Sequence, residues 1–184
     1  HIGKGRQTMT GKVYLVGAGP GDPGLLTLRG QQCLQIADVV LHDRLVDQRI
    51  LTEVQAKAEL IDVGKARGQQ HLSQESINTM LVNLASRGKK VVRLKGGDPF
   101  IFGRGGEEAL ALIQAGVNFE VVPGVTSVVA APAYAGIPLT HRGISASVVV
   151  VSGSEDPNKE DSQIDWKALA SHDGTLVILM GWQP

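Results

Sequence analysis

Glycine is the residue type whose placement hints at chemistry. The chain holds 23 glycines, and many sit in three turns: Gly17-Ala18-Gly19-Pro20-Gly21-Asp22-Pro23-Gly24, Lys95-Gly96-Gly97-Asp98-Pro99 and Pro123-Gly124-Val125-Thr126-Ser127. Clusters of this kind mark tight turns and places where main chain approaches a ligand without side-chain bulk. Two ionisable residues occupy comparable positions after apolar runs, Asp43 in His42-Asp43-Arg44 and Lys65 in Gly64-Lys65. A carboxylate or an ammonium held there could move a proton. The plainer readings are a turn cap for Asp43 and a solvated lysine for Lys65.

The spacing of the glycines excludes several common sites. Gly17-Ala18-Gly19 follows an apolar run, but a dinucleotide fingerprint needs glycine or alanine at position 22, where Asp22 stands. Pro20 and Pro23 also remove main-chain N–H groups that would cradle a pyrophosphate. No Gly-Lys-Ser/Thr step follows any of the turns, which excludes a P-loop, and the Gly-x-Ser-x-Gly elbow of a serine hydrolase is absent. His1, His42, His71, His141 and His172 show no ligand spacing, so no metal site is expected.

The elements that must carry these turns alternate regularly. Apolar β-rich runs at Val13–Val16, Val39–Leu41, Leu60–Val63, Val91–Leu94 and Val117–Val122 predict five strands. Between them, helices are predicted from about Thr27 (turning Leu28, Cys33, Leu34 and Ile36 inward), over 46–55, over 74–87 and from Glu107 to Ala115. In the third of these Ser73 is the N-cap, Ile77, Met80, Leu81, Leu84 and Ala85 share a face, and Gly88 follows as the C′ residue. Glu107 and Glu108 are placed together in a first turn, favoured there by the helix dipole. Strands alternating with helices imply an α/β fold with a mainly parallel sheet covered on both faces. Ligands bind beyond the carboxyl ends of the strands in such sheets, and here the glycine turns lie at those ends. After a tail at 1–11, the expected division is an N-terminal α/β domain over 12–124 and a C-terminal α/β domain beginning at 125. Ser145–Val151 and Thr175–Met180 read as buried strands of the second domain. The chain stops at Pro184, directly after a strand, so truncation of that domain is expected.

Composition narrows the partners. Eighteen Lys and Arg balance eighteen Asp and Glu over 184 residues, so no global attraction to nucleic acid or to an anionic membrane arises. Aromatic residues at 4% do not build a stacking platform for single strands. The longest apolar stretch, Val128 to Leu139, is broken by Pro132, Gly136 and Pro138 and falls short of the roughly 20 residues of a spanning helix. A single cysteine, Cys33, and the lack of a charged-then-apolar leader fit a cytoplasmic protein. Segment 87–104 is locally basic, with six Lys and Arg against Asp98 alone.

Four stretches, in order, carry a family resemblance: Val16 to Thr27; Asp43-Arg44-Leu45-Val46; Val91 to Glu108, with Gly96-Gly97-Asp98-Pro99-Phe100-Ile101-Phe102-Gly103-Arg104-Gly105-Gly106 at its heart; and Val122 to Ser127 followed by Gly136-Ile137-Pro138-Leu139-Thr140-His141-Arg142. Over about residues 12–181 the chain resembles the tetrapyrrole methylase family. The long third stretch points to members that act on uroporphyrinogen III. The resemblance implies two α/β domains, S-adenosyl-L-methionine as methyl donor with S-adenosylhomocysteine as its product, and methylation of uroporphyrinogen III at C2 and C7 to give precorrin-2, on the way to sirohaem and cobalamin. It implies a homodimer. Carried over by position, the donor contacts fall on Pro20, Gly96, Gly97, Asp98, Ile101, Thr126, Ser127 and Met180; Ser127 stands where many relatives have alanine. The acid–base pair falls on Asp43 and Lys65, with the direction of proton movement left open. Arg44, Arg104, His141 and Arg142 are the candidates for the substrate carboxylates, since arginine suits forked carboxylate recognition; for Arg44 and Arg104 a structural ion pair weighs equally. Rival readings are a methylase of the same fold acting at another ring position, and a fragment that binds the donor without turnover.

Overall fold

The computed structural model describes residues 11–64, 72–154 and 164–181. The chain divides into two compact units after Thr126.

In the first unit the elements run β1 (Lys12–Gly17), α1 (Leu28–Ile36), β2 (Val39–His42), α2 (Gln48–Leu51), β3 (Glu59–Asp62), α3 (Gln74–Ser86), β4 (Lys90–Lys95), α4 (Gly105–Gln114) and β5 (Asn118–Val122). The five strands form one parallel sheet in the order β3-β2-β4-β1-β5. Strand residues alternate between two cores. Tyr14, Val16, Val40, Val92 and Leu94 pack with Cys33 and Leu34 of α1 and Ile50 of α2. Val13, Leu15, Leu41 and Val91 pack with Ile77, Leu81 and Ala85 of α3 and Ala109 and Leu112 of α4. Helices therefore cover both faces, as the alternation of elements predicts. The order places β4 and β1 centrally and sends the turns after β1, β2, β4 and β5 to the same rim.

Local signals explain most boundaries. Thr27 caps α1 by accepting from Gly30 N, and Ser73 caps α3 by accepting from Ser76 N. Gly88 and Gly116 take left-handed φ of 80° and 66° just past the ends of α3 and α4. Two expectations need correction. Leu28 (78% exposed) and Ile36 (40% exposed) point outward, because the buried face of α1 is set by Gly30, Cys33 and Leu34. The helix expected over 46–55 shrinks to α2: Asp47 caps it, and the Thr52 hydroxyl donates back to the Arg49 carbonyl at 2.7 Å, closing it after one turn. The α3 stripe faces the core as expected: Ile77, Leu81 and Ala85 are buried, and Met80 and Leu84, partly buried, pack against the same cluster.

The second unit contains α5 (Ser127–Tyr134), β6 (Val148–Ser152), α6 (Trp166–Ala170) and β7 (Thr175–Leu179), with β6 and β7 paired in parallel. Both strands were expected to be buried. Instead β6 is half-buried throughout and β7 alternates between half-buried and exposed, the pattern of a two-stranded sheet with one covered face. Among the described residues no helix is long and apolar enough to cross a membrane.

Candidate active site

Three of the rim turns are knotted together by main chain. Gly19 N donates to Gly97 O at 3.1 Å and Gly97 N donates to Gly19 O at 2.7 Å, joining the turn after β1 to the turn after β4. A Cβ on Gly17 would lie 2.6 Å from Gly97 O and from Gly124 Cα. A Cβ on Gly124 would collide with Gly97 O. Gly17 and Gly124 are thus required for backbone-to-backbone packing among the turns. Gly97 differs from both. Its φ is +66°, and a Cβ there would meet only Thr126 Cα, at 3.8 Å. This stretch of main chain is left-handed and open-faced, in a form that glycine adopts without the cost other residues bear.

Asp98 fixes the knot from one side. Its Oδ1 accepts from Phe100 N at 2.8 Å and its Oδ2 from Gly124 N at 3.0 Å. One carboxylate thereby shapes its own turn and ties it to the turn after β5. The rest of the β4–α4 turn is tightly wound. Phe102 and Arg104 have φ of 49° and 56°, and Gly105 N donates to Pro99 O at 3.0 Å. Positive φ at non-glycine residues costs energy and tends to gather at functional turns. Ile101, just before Phe102, is exposed.

Of the expected donor residues, the fold brings together Gly96, Gly97, Asp98 and Thr126, with Pro20 exposed next to Gly19. Gly96 lies against Leu45, whose Cβ is 3.2 Å from where a Cβ on Gly96 would sit. Ser127 opens α5, and Met180, with a φ of 57°, follows β7; both belong to the second unit. The residues of the first unit suit a donor held by main chain: Gly97 leaves space where a side chain would stand, and no metal-like ligand set is needed for a sulfonium methyl group.

Beside this knot lies a charged group that sequence reasoning did not assemble. Arg93 and Lys95 point to one face of β4, each 3% exposed, and Glu108 of α4 is fully buried beneath them. Arg93 Nε donates to Glu108 Oε1 at 2.9 Å and Lys95 Nζ donates to the same oxygen at 3.0 Å; Gln74 Nε2 of α3 adds a third donor at 3.2 Å. Arg93 Nη1 donates to the main-chain carbonyls of Leu94 at 3.3 Å and Leu41 at 3.5 Å. Arg93 Nη2 donates to Asp43 Oδ1 at the rim. Two cations and two carboxylates balance. Burial, reinforced by the Arg93 charge, pushes the Lys95 ammonium below its ordinary value, against the pull of Glu108. Glu107 and Glu108 both lie in the first turn of α4, as the sequence predicts, but they face different ways: Glu107 pairs with Arg104 on the surface while Glu108, one residue on, turns into the core. A signal was present in the sequence. Two cations at i and i+2 on one face of a central strand, Arg93 and Lys95, demand a buried counter-charge.

The other expected residues divide as follows. Lys65 lies outside the described residues. Gly64, just before it, packs on Arg44, with a Cβ there falling 2.5 Å from Arg44 N. Arg104 makes a two-pronged ion pair with Glu107, both contacts at 2.8 Å. Arg44 is exposed at the rim. His141 and Arg142 are exposed in the second unit, where His141 N donates to Ser145 O at 2.9 Å in a tight turn.

Comparison with known proteins gives a consistent answer. Residues 12–183 match the model of the Tetrapyrrole (Corrin/Porphyrin) Methylases. An S-adenosyl-L-methionine-dependent uroporphyrinogen III methyltransferase of Methanosarcina barkeri is 55% identical over 93% of this chain and 67% of its own length. Siroheme synthase 1 of Yersinia pseudotuberculosis is 56% identical over 97% of this chain and 37% of its own. The chain therefore spans about two thirds of the first relative and little more than a third of the second. Among crystal structures, uroporphyrin-III C-methyl transferase from Thermus thermophilus complexed with S-adenyl homocysteine aligns with a TM-score of 0.75 and 48% identity, over 93% of this chain and 70% of that one. With glycine-built turns at the carboxyl rim of a parallel sheet and a family match across nearly its whole length, the chain belongs to the tetrapyrrole methylase family.

Proposed function

We propose that this chain is an S-adenosyl-L-methionine-dependent methyltransferase that converts uroporphyrinogen III to precorrin-2 by methylation at C2 and C7. The open-faced, left-handed main chain at Gly97 carries the structural side of this reading. It offers backbone at close range to a ligand, beside Gly17 and Gly124, which are consumed in backbone packing. The identity of the relatives supports the choice of donor and acceptor.

S-adenosyl-L-methionine supplies a methyl group already activated on a sulfonium, with S-adenosylhomocysteine left after transfer. The residues of this chain then have three tasks. Gly96, Gly97 and the main chain of Asp98 hold the donor, joined by Pro20, Ile101, Thr126, Ser127 and Met180. The Asp98 side chain acts indirectly, by keeping the turn in shape. Holding donor and pyrrole carbon in line is worth roughly 7–11 kcal/mol of the barrier. Arg44, Arg104, His141 and Arg142 meet the acidic side chains of the macrocycle, for which Arg104 exchanges its exposed partner Glu107. Asp43 and Lys65 handle the proton that leaves the methylated macrocycle. A homodimer in the cytoplasm belongs to the same reading.

Calorimetric titration with S-adenosylhomocysteine tests the donor site. Saturable binding that is lost in Gly97→Val supports the reading; no binding, or unchanged affinity in that variant, removes the donor from this rim.

A further inference from the structure

Asp43 does not stand alone at the rim. Its side chain, 30% exposed, is joined through Oδ1 to Arg93, which is 3% exposed, and Arg93 is joined to the fully buried Glu108. Every nitrogen of the Arg93 guanidinium has an acceptor: Nε on Glu108, Nη1 on the carbonyls of Leu94 and Leu41, Nη2 on Asp43. The guanidinium plane is therefore fixed from three directions, and Glu108 is itself fixed by Lys95 and Gln74. We propose that Arg93, seated on Glu108, is a positioning residue for methyl transfer, holding the Asp43 carboxylate in the orientation that serves the substrate. The inference rests on the methyltransferase reading and on the part given there to Asp43.

Stability alone explains this arrangement poorly. A buried ionic group gains little over well-packed apolar residues of the same volume, because desolvation offsets the attraction. Apart from Lys95, the strand neighbours of Arg93 on this face are apolar: Leu15, Leu41 and Val91. An apolar residue at 93 would complete that core. What the apolar residue would lack is a rigid fork reaching from α4 across the sheet to the end of β2. Lysine would not replace it, since one ammonium cannot reach Glu108, two carbonyls and Asp43 in a fixed plane. The carboxylate so held is the one charged side chain of the group that reaches solvent.

The test uses the full chain with Arg93→Lys, Asp43→Asn and the double variant. Turnover is followed anaerobically with uroporphyrinogen III and S-adenosyl-L-methionine, and competent sites are counted by titration with S-adenosylhomocysteine. Each single variant is expected to lose about 10–100-fold in kcat per competent site, with KM for the donor within about twofold. The double variant should be no slower than Asp43→Asn. Losses that multiply, or an Arg93→Lys effect confined to the number of competent sites, overturn the proposal. Should Asp43→Asn turn over normally while Arg93→Lys is slow, the assignment of Asp43 fails and this proposal with it. A wild-type chain that binds S-adenosylhomocysteine and methylates nothing is a failure of the broader reading, visible before any variant is made. Nitrogen-15 spectra of the arginine side chains read the coupling without turnover and without altering Arg93. Separate, exchange-protected Nη signals of Arg93 should collapse in Asp43→Asn, and signals that do not change overturn the proposal.

Discussion

Gly19 and Gly97 exchange a reciprocal pair of main-chain hydrogen bonds, 3.1 and 2.7 Å long, between turns that are 78 residues apart in the chain. That exchange is possible because β1 and β4 are adjacent and parallel, so their following turns leave the sheet side by side. It holds Gly97 in a left-handed conformation facing open space, and the proposed donor site is built around that residue.

Gly97→Ala and Gly124→Ala should fail in different ways. The first adds a methyl group into open space at a positive φ, costing about 1–2 kcal/mol of stability for the backbone conformation and at least about tenfold in S-adenosylhomocysteine affinity. The second drives a Cβ into the Gly97 carbonyl, an overpacking worth about 1–3 kcal/mol or more. Urea unfolding and calorimetry on both variants separate a binding defect from a folding defect.

Glu108→Gln should be among the most destabilising conservative changes in the first unit. It leaves Arg93 and Lys95 buried with only Asp43 to balance them. Breaking a buried ionic group by removing one charge costs about 3–5 kcal/mol. The midpoint of urea unfolding reports this directly, and a loss below about 1 kcal/mol would mean that the group is not tightly closed.

Arg104→Ala should behave in the opposite way. The Arg104–Glu107 pair is exposed on both sides, and surface pairs contribute about 0–1 kcal/mol. The melting temperature should hardly move. The KM for uroporphyrinogen III should rise several-fold, since a forked carboxylate partner is removed. Unchanged KM together with lowered stability would make Arg104 a purely structural residue.

Acid sensitivity should trace in part to Glu120. Hydrogen bonds from Arg29 and then Lys12 lower its pKa from the ordinary 4.5 to about 2. The folded state holds the charged form more firmly than the unfolded chain does, so the stabilisation is complete above the ordinary value and is lost as pH falls from about 4.5 to about 2. Melting temperatures of Glu120→Gln across that window should be flatter than those of the parent protein. A slope equal to the parent's would place the acid sensitivity elsewhere.

Much of the first unit is legible from local sequence. Alternating apolar runs and helical stripes place all five strands, and Thr27, Ser73, Gly88 and Gly116 mark helix ends through chemistry that depends only on near neighbours. Family motifs point to the turns at Gly96-Gly97-Asp98 and Thr126. What local sequence leaves hidden is set by strand order. Whether a glycine packs on main chain, as Gly17 and Gly124 do, or faces space, as Gly97 does, depends on which turns lie side by side. The two anchors of Asp98 reach one residue 2 positions away and another 26 positions away. Glu108 looks like a twin of Glu107 until the sheet places Arg93 and Lys95 above it. The half-covered strands β6 and β7 show the same limit, because an apolar run reads alike whether one face is covered or two.

The most direct measurement is the mass of the macrocycle after anaerobic incubation of this chain with uroporphyrinogen III and S-adenosyl-L-methionine. The account predicts addition of one methyl group and then a second, with Gly97→Ala slowing both. An unaltered macrocycle, with the donor bound at saturation, would contradict it.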